Sequence, residues 1–212
     1  MEILDEISER LQKGDAPAVG RLTQEAIDKD LAPKTILDDG LIAGMAIVGE
    51  QFKTHQIFLP DVLLAARAMY AGMDLLKPLM IAGDLPTVGK VVIGSVQGDL
   101  HDIGKNLVGI MLKGAGFEVI DLGNDVAPEA FLDAAEREGA AVIGMSALLT
   151  TTMPAMKKTI ELARKRGVFG KVKFIVGGAP LSAAYAEQIG ADAYCFDGIS
   201  AVERTKRFIG AA

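Results

Sequence analysis

The fold is decided by residues 91–122, which read VVIGSVQGDLHDIGKNLVGIMLKGAGFEVIDL. The apolar run 91–96 predicts a buried strand, and the glycine-bearing segment 97–104 predicts a loop. Apolar residues at helical spacing then predict a helix over about 104–115, and a second apolar run predicts the next strand over 117–122. The same unit repeats to the end of the chain, with strands predicted over 141–146, 173–176 and 193–196 and helices over about 128–138, 153–166, 181–189 and 199–209.

This alternation predicts an α/β domain with a five-stranded, doubly wound parallel sheet of the flavodoxin-like type, covered by helices on both faces. In the strand order 2-1-3-4-5, the loops after strands 1, 3 and 4 emerge side by side at the carboxyl edge, where such sheets bind their ligands. Segments 97–104, 147–152 and 177–178 occupy these loops. We therefore expect the binding site there.

The first 80 residues or so show a helical period only. Breaks at 14–15, 30–33 and 54–60 divide them into four helices, the last beginning near Pro60, and these predict an N-terminal four-helix bundle. Apolar residues mark the buried faces, at Ile3, Leu4, Ile7, Leu11, Ile36, Leu37, Leu41, Met45 and Val48. Gly, Pro and polar residues over 81–90 predict a linker, so we expect a helical domain over 1–84 and an α/β domain over 90–212.

Composition narrows the cellular setting and the partners. A net charge of -6 argues against a nucleic-acid partner, because binding to phosphates requires clustered Lys and Arg. Cys195 is the single cysteine and cannot form an internal disulfide, and no basic, apolar leader follows Met1. The longest apolar stretch, 41–48, is too short to span a bilayer. We expect a cytoplasmic protein that does not bind a membrane.

The loop after strand 1 contains the pattern D-x-H-x-x-G at Asp99, His101 and Gly104. A carboxylate two residues before a histidine can accept one ring N–H while the other ring nitrogen binds a metal. The alternative is a surface histidine with a chance acidic neighbour. A P-loop that uses Lys105 fails by one residue in its glycine spacing, and a histidine-rich phosphohydrolase site fails because His55 is the only other histidine.

The other two loops carry hydroxyls and glycines. Ser146, Thr150, Thr151 and Thr152 follow strand 3 beside Leu148 and Leu149, a combination that suits a pocket for an aromatic heterocycle. Helix capping by Thr152 is the alternative for one of these hydroxyls. Gly177 and Gly178 follow strand 4, where they leave room for a bulky planar group or form a tight turn.

Together the three loops give D-x-H-x-x-G, 41 residues, S-x-L, 28 residues and G-G. This signature resembles the cobalamin-binding domain of methionine synthase and its relatives. Segments 48–52 and 57–61 resemble the helical cap of the same family, so the resemblance covers nearly the whole chain. A cap plus a cobalamin domain is similar to the free-standing corrinoid proteins of methylamine, methanol, betaine and aryl-ether demethylation. Thr152 stands where the methionine synthase relay has a serine.

The resemblance implies a corrinoid cofactor whose own benzimidazole is displaced and buried while His101 becomes the lower cobalt ligand. It implies Asp99 as partner of His101 and Thr152 as a third relay member. The cofactor-binding residues implied are Gly98, Asp99, His101, Asp102, Ile103, Gly104, Ser146, Leu148, Thr150, Gly177, Gly178 and Tyr194. Phe52, Phe58, Met69 and Met73 are candidates to shelter the upper face, with core packing as their alternative role.

The implied function is methyl transfer between two partner methyltransferases, through the Co(I) and methyl-Co(III) states. A reductive activase is a further implied partner, and the chain alone is not expected to be catalytic. The methyl donor stays open among methylamines, methanol, betaine and aryl methyl ethers, and the acceptor is tetrahydrofolate or a thiol. Alternatives are a cobalamin-dependent sensor, a small mutase subunit, and a flavodoxin-like nucleotide or flavin binder.

Overall fold

The N-terminal helices follow the apolar period of the sequence. The computed structural model describes residues 2–79 and 88–210. Its first unit contains α1 (Glu2–Gln12), α2 (Ala16–Asp28), α3 (Pro33–Thr35), α4 (Ala43–Lys53) and α5 (Leu59–Leu76). A π-helical segment, Ile36–Ile42, joins α3 to α4 without a break, and a 3-10 turn, Lys77–Leu79, follows α5. The four predicted helices are confirmed, and residues 33–53 form one continuous helix.

Local chemistry explains where these helices start, and burial explains why they pack. Asp15 caps α2, because its side chain accepts a hydrogen bond from the Ala18 N–H at 3.1 Å. The predicted apolar face is buried in this unit, with Ile3 half-buried and the others at most 7% exposed. Met69 lies in this core as well, whereas Phe58 is 67% exposed. Core packing is therefore the role of Met69 in this unit.

The second unit is a parallel sheet with the predicted topology. Its strands run in the order β2-β1-β3-β4-β5, and every neighbouring pair is parallel. The strands are β1 (Lys90–Ser95), β2 (Glu118–Asp121), β3 (Val142–Ser146), β4 (Lys173–Gly177) and β5 (Ala193–Tyr194). The helices are α6 (Ile103–Gly114), α7 (Pro128–Glu138), α8 (Pro154–Lys165), α9 (Ala183–Ile189) and α10 (Gly198–Phe208). The predicted fold class is confirmed.

Burial on both faces makes the central strands apolar. In β1 every residue after Lys90 is buried, and β3 and β4 are buried over their central residues. Phe131 of α7, Phe174 of β4 and Met156 of α8 are fully buried large side chains in this core. The continuous apolar runs of the sequence therefore reflect a sheet that is shielded by helices on both sides.

Two features of the chain bear on the predicted domain boundary and on membranes. The predicted linker runs over 81–90, and its residues 81–87 lie outside the described residues, so the boundary between 84 and 90 stays a prediction.

Within 2–79 and 88–210, none of the helices combines the length and the apolar character that a bilayer crossing requires.

Cys195 should be chemically silent in the folded protein. It is 6% exposed, and burial raises the pKa of its thiol to about 12. Because only the thiolate is nucleophilic, we expect alkylation by iodoacetamide at pH 8 to be roughly a thousandfold slower in the native state than in guanidinium. Mass spectrometry over time measures both rates. Comparable rates in the two states would contradict this assignment.

Candidate functional site

The carboxyl ends of four strands lie side by side and bring the three candidate loops together. The sheet register pairs Ser95 with Ser146, Ser146 with Gly177, and Val176 with Tyr194. Three of the predicted cofactor-binding residues, Ser146, Gly177 and Tyr194, therefore lie along one edge of the sheet. The loop that carries Asp99 and His101 follows β1 at this same edge.

Asp99 is the hub of the site. It is completely buried, and both of its carboxylate oxygens accept hydrogen bonds. Oδ1 accepts from the backbone N–H of His101 at 3.0 Å and contacts Nδ1 of the His101 ring at 2.8 Å. Oδ2 accepts from the Thr152 hydroxyl at 2.6 Å and from the N–H groups of Leu148 at 2.7 Å and Leu149 at 3.4 Å. One carboxylate therefore ties the loop after β1 to the loop after β3.

These contacts keep Asp99 ionised. Burial alone would raise the pKa of Asp99, but the hydrogen bonds from Thr152, Leu148 and His101 outweigh it and hold that pKa well below the usual range. An ionised carboxylate only accepts hydrogen bonds, so Nδ1 of His101 must be the donor in this pair. In the neutral ring, the lone pair is then on Nε2.

The backbone of His101 is fixed by a hydrogen bond, whereas much of its side chain is exposed. Its backbone carbonyl accepts a hydrogen bond from the buried Ser95 hydroxyl at 2.6 Å, while half of its side-chain surface remains exposed. The same two loops and the start of α6 also carry exposed apolar side chains, with Leu100 69%, Ile103 76%, Leu148 42% and Leu149 43% exposed. A fixed imidazole together with exposed apolar residues is typical of a site that is covered by a ligand.

Thr152 belongs to the Asp99 hub and does not cap a helix. The residue at the N-cap of α8 is Met153, and no side chain caps that helix, so the capping interpretation is wrong. The Thr152 hydroxyl has two acceptors for its one hydrogen, Asp99 Oδ2 at 2.6 Å and the Leu149 carbonyl at 2.8 Å. Thr150 is exposed in the same loop.

Close packing at the edge of the sheet explains the two glycines at the end of β4, Gly177 and Gly178. A Cβ at Gly178 would overlap the carbonyl oxygen of Ala147, and one at Gly177 would lie 2.9 Å from the Cys195 carbonyl oxygen. Gly178 also has a φ of +137°, which side chains rarely allow. These glycines therefore let the loops after β3, β4 and β5 approach each other closely.

This close approach predicts the effect of a methyl group. We expect Gly178→Ala to lower the free energy of unfolding by about 2–3 kcal/mol, through overlap with a backbone atom that cannot rotate away. Gly139→Ala is the matched control, since Gly139 also has a positive φ (+66°) but open space around its Cβ position. Urea titrations of both variants measure the difference. Equal decreases in the free energy of unfolding of the two variants would show that backbone strain, and not overlap with Ala147, explains the effect at Gly178.

Three further predicted residues, Gly98, Asp102 and Gly104, lie in the loop after β1 and at the start of α6. Gly98, with a φ of +85°, and Gly104 are exposed, and the carbonyl of Asp102 accepts from the Asn106 N–H at 2.7 Å inside the start of α6. Lys105 does not act as a P-loop lysine, because its ammonium group forms an ion pair with Asp121, with Nζ 2.6 Å from Oδ2. Ser95 was not predicted as a site residue, and the one signal for it was a polar residue at the end of an apolar strand.

Two family models match the chain. One, described as a B12 binding domain, covers residues 89–205, and a second of the same description covers residues 3–77. The chain belongs to the B12-binding corrinoid proteins. The inferred resemblance and the corrinoid cofactor are thereby confirmed.

Several relatives support this over the full length. The corrinoid protein is 40% identical over 213 residues to a corrinoid protein of Desulfitobacterium hafniense, covering 99% of each chain. It is 45% identical to dimethylamine corrinoid protein 1 of Methanosarcina acetivorans, over 85% of each chain. Its fold matches a chain of the methanol:cobalamin methyltransferase complex of Methanosarcina barkeri with a TM-score of 0.92 and 31% identity, covering 100% of this chain and 81% of that one.

The possible metal-ligand side chains of the corrinoid protein fit a metal ion that is already held by a macrocycle. Among residues 2–79 and 88–210, no three His, Cys, Asp or Glu side chains converge to hold a bare ion. A corrin supplies four nitrogens to its cobalt, so one imidazole nitrogen is the only protein ligand that is needed. His101 offers such a nitrogen in Nε2, and the exposed leucines and Ile103 beside it suit the apolar face of the ring.

Proposed function

We propose that this corrinoid protein is a methyl carrier, which passes a methyl group from a substrate-specific methyltransferase to a second methyltransferase. The observation that carries the proposal is the Asp99–His101–Thr152 hub, which presents one fixed imidazole nitrogen at the carboxyl edge of the sheet. The methylamine and methanol systems named for its relatives favour a methyltransferase as the donor partner. Tetrahydrofolate or a thiol is the final acceptor, and a reductive activase is the third partner.

His101 would bind the cobalt through Nε2, with Asp99 fixing its tautomer. When bound, the corrinoid would supply a cobalt that accepts and gives up a methyl group. The Asp99 carboxylate accepts a hydrogen bond from Nδ1, which makes Nε2 a stronger electron-pair donor to a metal. Thr152 would hold the other carboxylate oxygen of Asp99.

The loop after β3 and the end of β4 would receive the displaced nucleotide tail of the cofactor. Ser146 and Thr150 supply hydroxyls and Leu148 an apolar surface, while Gly177 and Gly178 allow the neighbouring loops to approach closely. Tyr194 lies on the adjacent strand, in register with Val176. An apolar surface with a few placed hydroxyls suits a buried heterocycle.

Methyl transfer between purified components tests the proposal. The protein is loaded with cobalamin, reduced, and incubated with methyltransferases specific for methylamines, methanol, betaine or aryl methyl ethers, each with its labelled substrate. We expect label to appear on the corrinoid protein with one of these enzymes and then to leave it when an acceptor methyltransferase is added. Retention of cobalamin without label from any donor enzyme would contradict the carrier function and favour a sensor.

A further inference from the structure

The backbone that carries His101 is held from a second direction, by the β2–α7 turn (residues 122–127). The Asp125 carboxylate accepts a hydrogen bond from the Gly98 N–H at 2.7 Å, and the Asp125 N–H donates to the Asp99 carbonyl at 2.9 Å. The Asn124 side-chain amide donates to the Leu100 carbonyl at a longer 3.4 Å. The three residues before His101 are therefore each bonded to this turn.

The residue type at position 125 is informative. Asp125 has a φ of +53°, in the left-handed region that side chains other than those of Asn and Asp rarely adopt. A glycine would take this conformation more easily, but it would leave the Gly98 N–H without its acceptor. The carboxylate of Asp125 thus makes the shortest of the three hydrogen bonds between the turn and the His101 loop, and it is the one that a glycine would lose.

The chain is also tied to the same strand end after His101. Lys105 in the first turn of α6 is 5% exposed, and its Nζ lies 2.7 and 2.6 Å from the two carboxylate oxygens of Asp121. Asp121 Oδ1 in turn accepts from the Gly123 N–H at 2.9 Å. The end of β2 and its turn therefore fix the loop on both sides of His101.

We propose that Asp125 is a positioning residue for His101, acting through the backbone of 98–100. Asp99 orients the imidazole ring, whereas Asp125 fixes the backbone from which both Asp99 and His101 project. This inference rests on the proposed role of His101 as the cobalt ligand. Loss of the Asp125 carboxylate lets the 98–101 segment shift and weakens the contact between Nδ1 and Asp99.

Two substitutions separate the carboxylate from the backbone conformation. Asp125→Gly removes the acceptor and suits the positive φ, so the variant should fold. Asp125→Asn keeps an acceptor oxygen and tolerates the same φ. The first readout is ¹⁵N NMR of the corrinoid-free, full-length protein at fixed pH. The chain has only two histidines, and His55→Asn assigns the signals of His101.

In wild type and Asp125→Asn we expect the Nδ1–H tautomer of His101, and in Asp125→Gly a clear loss of that tautomer. Cobalamin affinity should fall by roughly three- to tenfold in Asp125→Gly, which is less than the roughly 10–100-fold that follows loss of a direct partner of a metal-bound histidine. Asp125→Asn should restore it.

Wild-type tautomer and affinity in Asp125→Gly would overturn the proposal, and so would equal losses in the glycine and asparagine variants. The NMR readout needs no cofactor. It therefore decides the role of Asp125 even if His101 proves not to bind cobalt.

Discussion

Replacing His101 with alanine should convert bound cobalamin from a base-off, His-on form to a base-off, His-off form in the visible spectrum. The imidazole is the only side chain of its loop with a free, oriented nitrogen, because Asp99 accepts from Nδ1 and leaves Nε2 available. We expect cobalamin affinity to fall by at least about tenfold, since the direct axial bond is lost. Stability should change little, because half of the side chain is exposed.

His55→Asn is the matched control for this experiment. His55 is the only other histidine, it is exposed, and its φ of +57° suits asparagine. Its spectrum should equal that of wild type. Identical spectra for wild type and His101→Ala would remove His101 from the cobalt.

The second large effect is expected at Asp99, because its carboxylate is buried and is shared by two loops. Asp99→Asn replaces one accepting oxygen with a donor that faces other donors, the Thr152 hydroxyl and the Leu148 N–H among them. Buried donors without acceptors are costly, so we expect the free energy of unfolding to fall by about 2–3 kcal/mol. The oxygen that still faces Nδ1 of His101 then belongs to a neutral amide and is a weaker acceptor than the carboxylate, which weakens cobalamin binding by roughly 10–100-fold.

The pH dependence of this difference follows from the low pKa of Asp99. A carboxyl whose pKa is lower in the folded state than in the unfolded state stabilises the protein above the unfolded value, and that stabilisation is lost as the pH falls towards the folded value. The advantage of wild type over Asp99→Asn should therefore be constant between pH 5 and 8 and shrink below about pH 4.

Urea titrations at several pH values measure the difference. The exposed Asp133→Asn, on the surface of α7, serves as a control that should remain close to wild type. A wild-type advantage that grows as the solution is acidified would contradict the inferred charge on Asp99.

The sheet was predictable from the sequence because its signals are local. Each strand is an apolar run and each helix has its own period, so the order of elements and the topology followed from general rules. The π-helical segment Ile36–Ile42 was not predictable, because it depends on packing: a side chain at Gly40 would lie 3.2 Å from Ile7 Cγ2 of α1. β2 is shorter than predicted, at the edge of the sheet where pairing on one side ends.

The candidate site was predictable only in part. Asp99 and His101 were singled out by the D-x-H-x-x-G pattern and Thr152 by the family resemblance, and the structure brings the three into contact. Leu148 was predicted as a cofactor-binding residue but not as a backbone donor to Asp99, and the Ser95 hydroxyl and Asp125 were missed. A backbone N–H has no sequence signature, and Asp125 lies 24 positions after His101 in a turn with no motif of its own.

The central claim is that a nitrogen of His101 binds the cobalt, and electron paramagnetic resonance of the cobalt(II) form tests it most directly. The protein is produced with ordinary histidine and with ¹⁵N-labelled histidine, and both samples are loaded with the same unlabelled cobalamin. If His101 binds the cobalt, the nitrogen superhyperfine splitting changes from a triplet to a doublet on labelling and disappears in His101→Ala. A triplet that survives labelling would place the cofactor's own base on the cobalt and contradict the account.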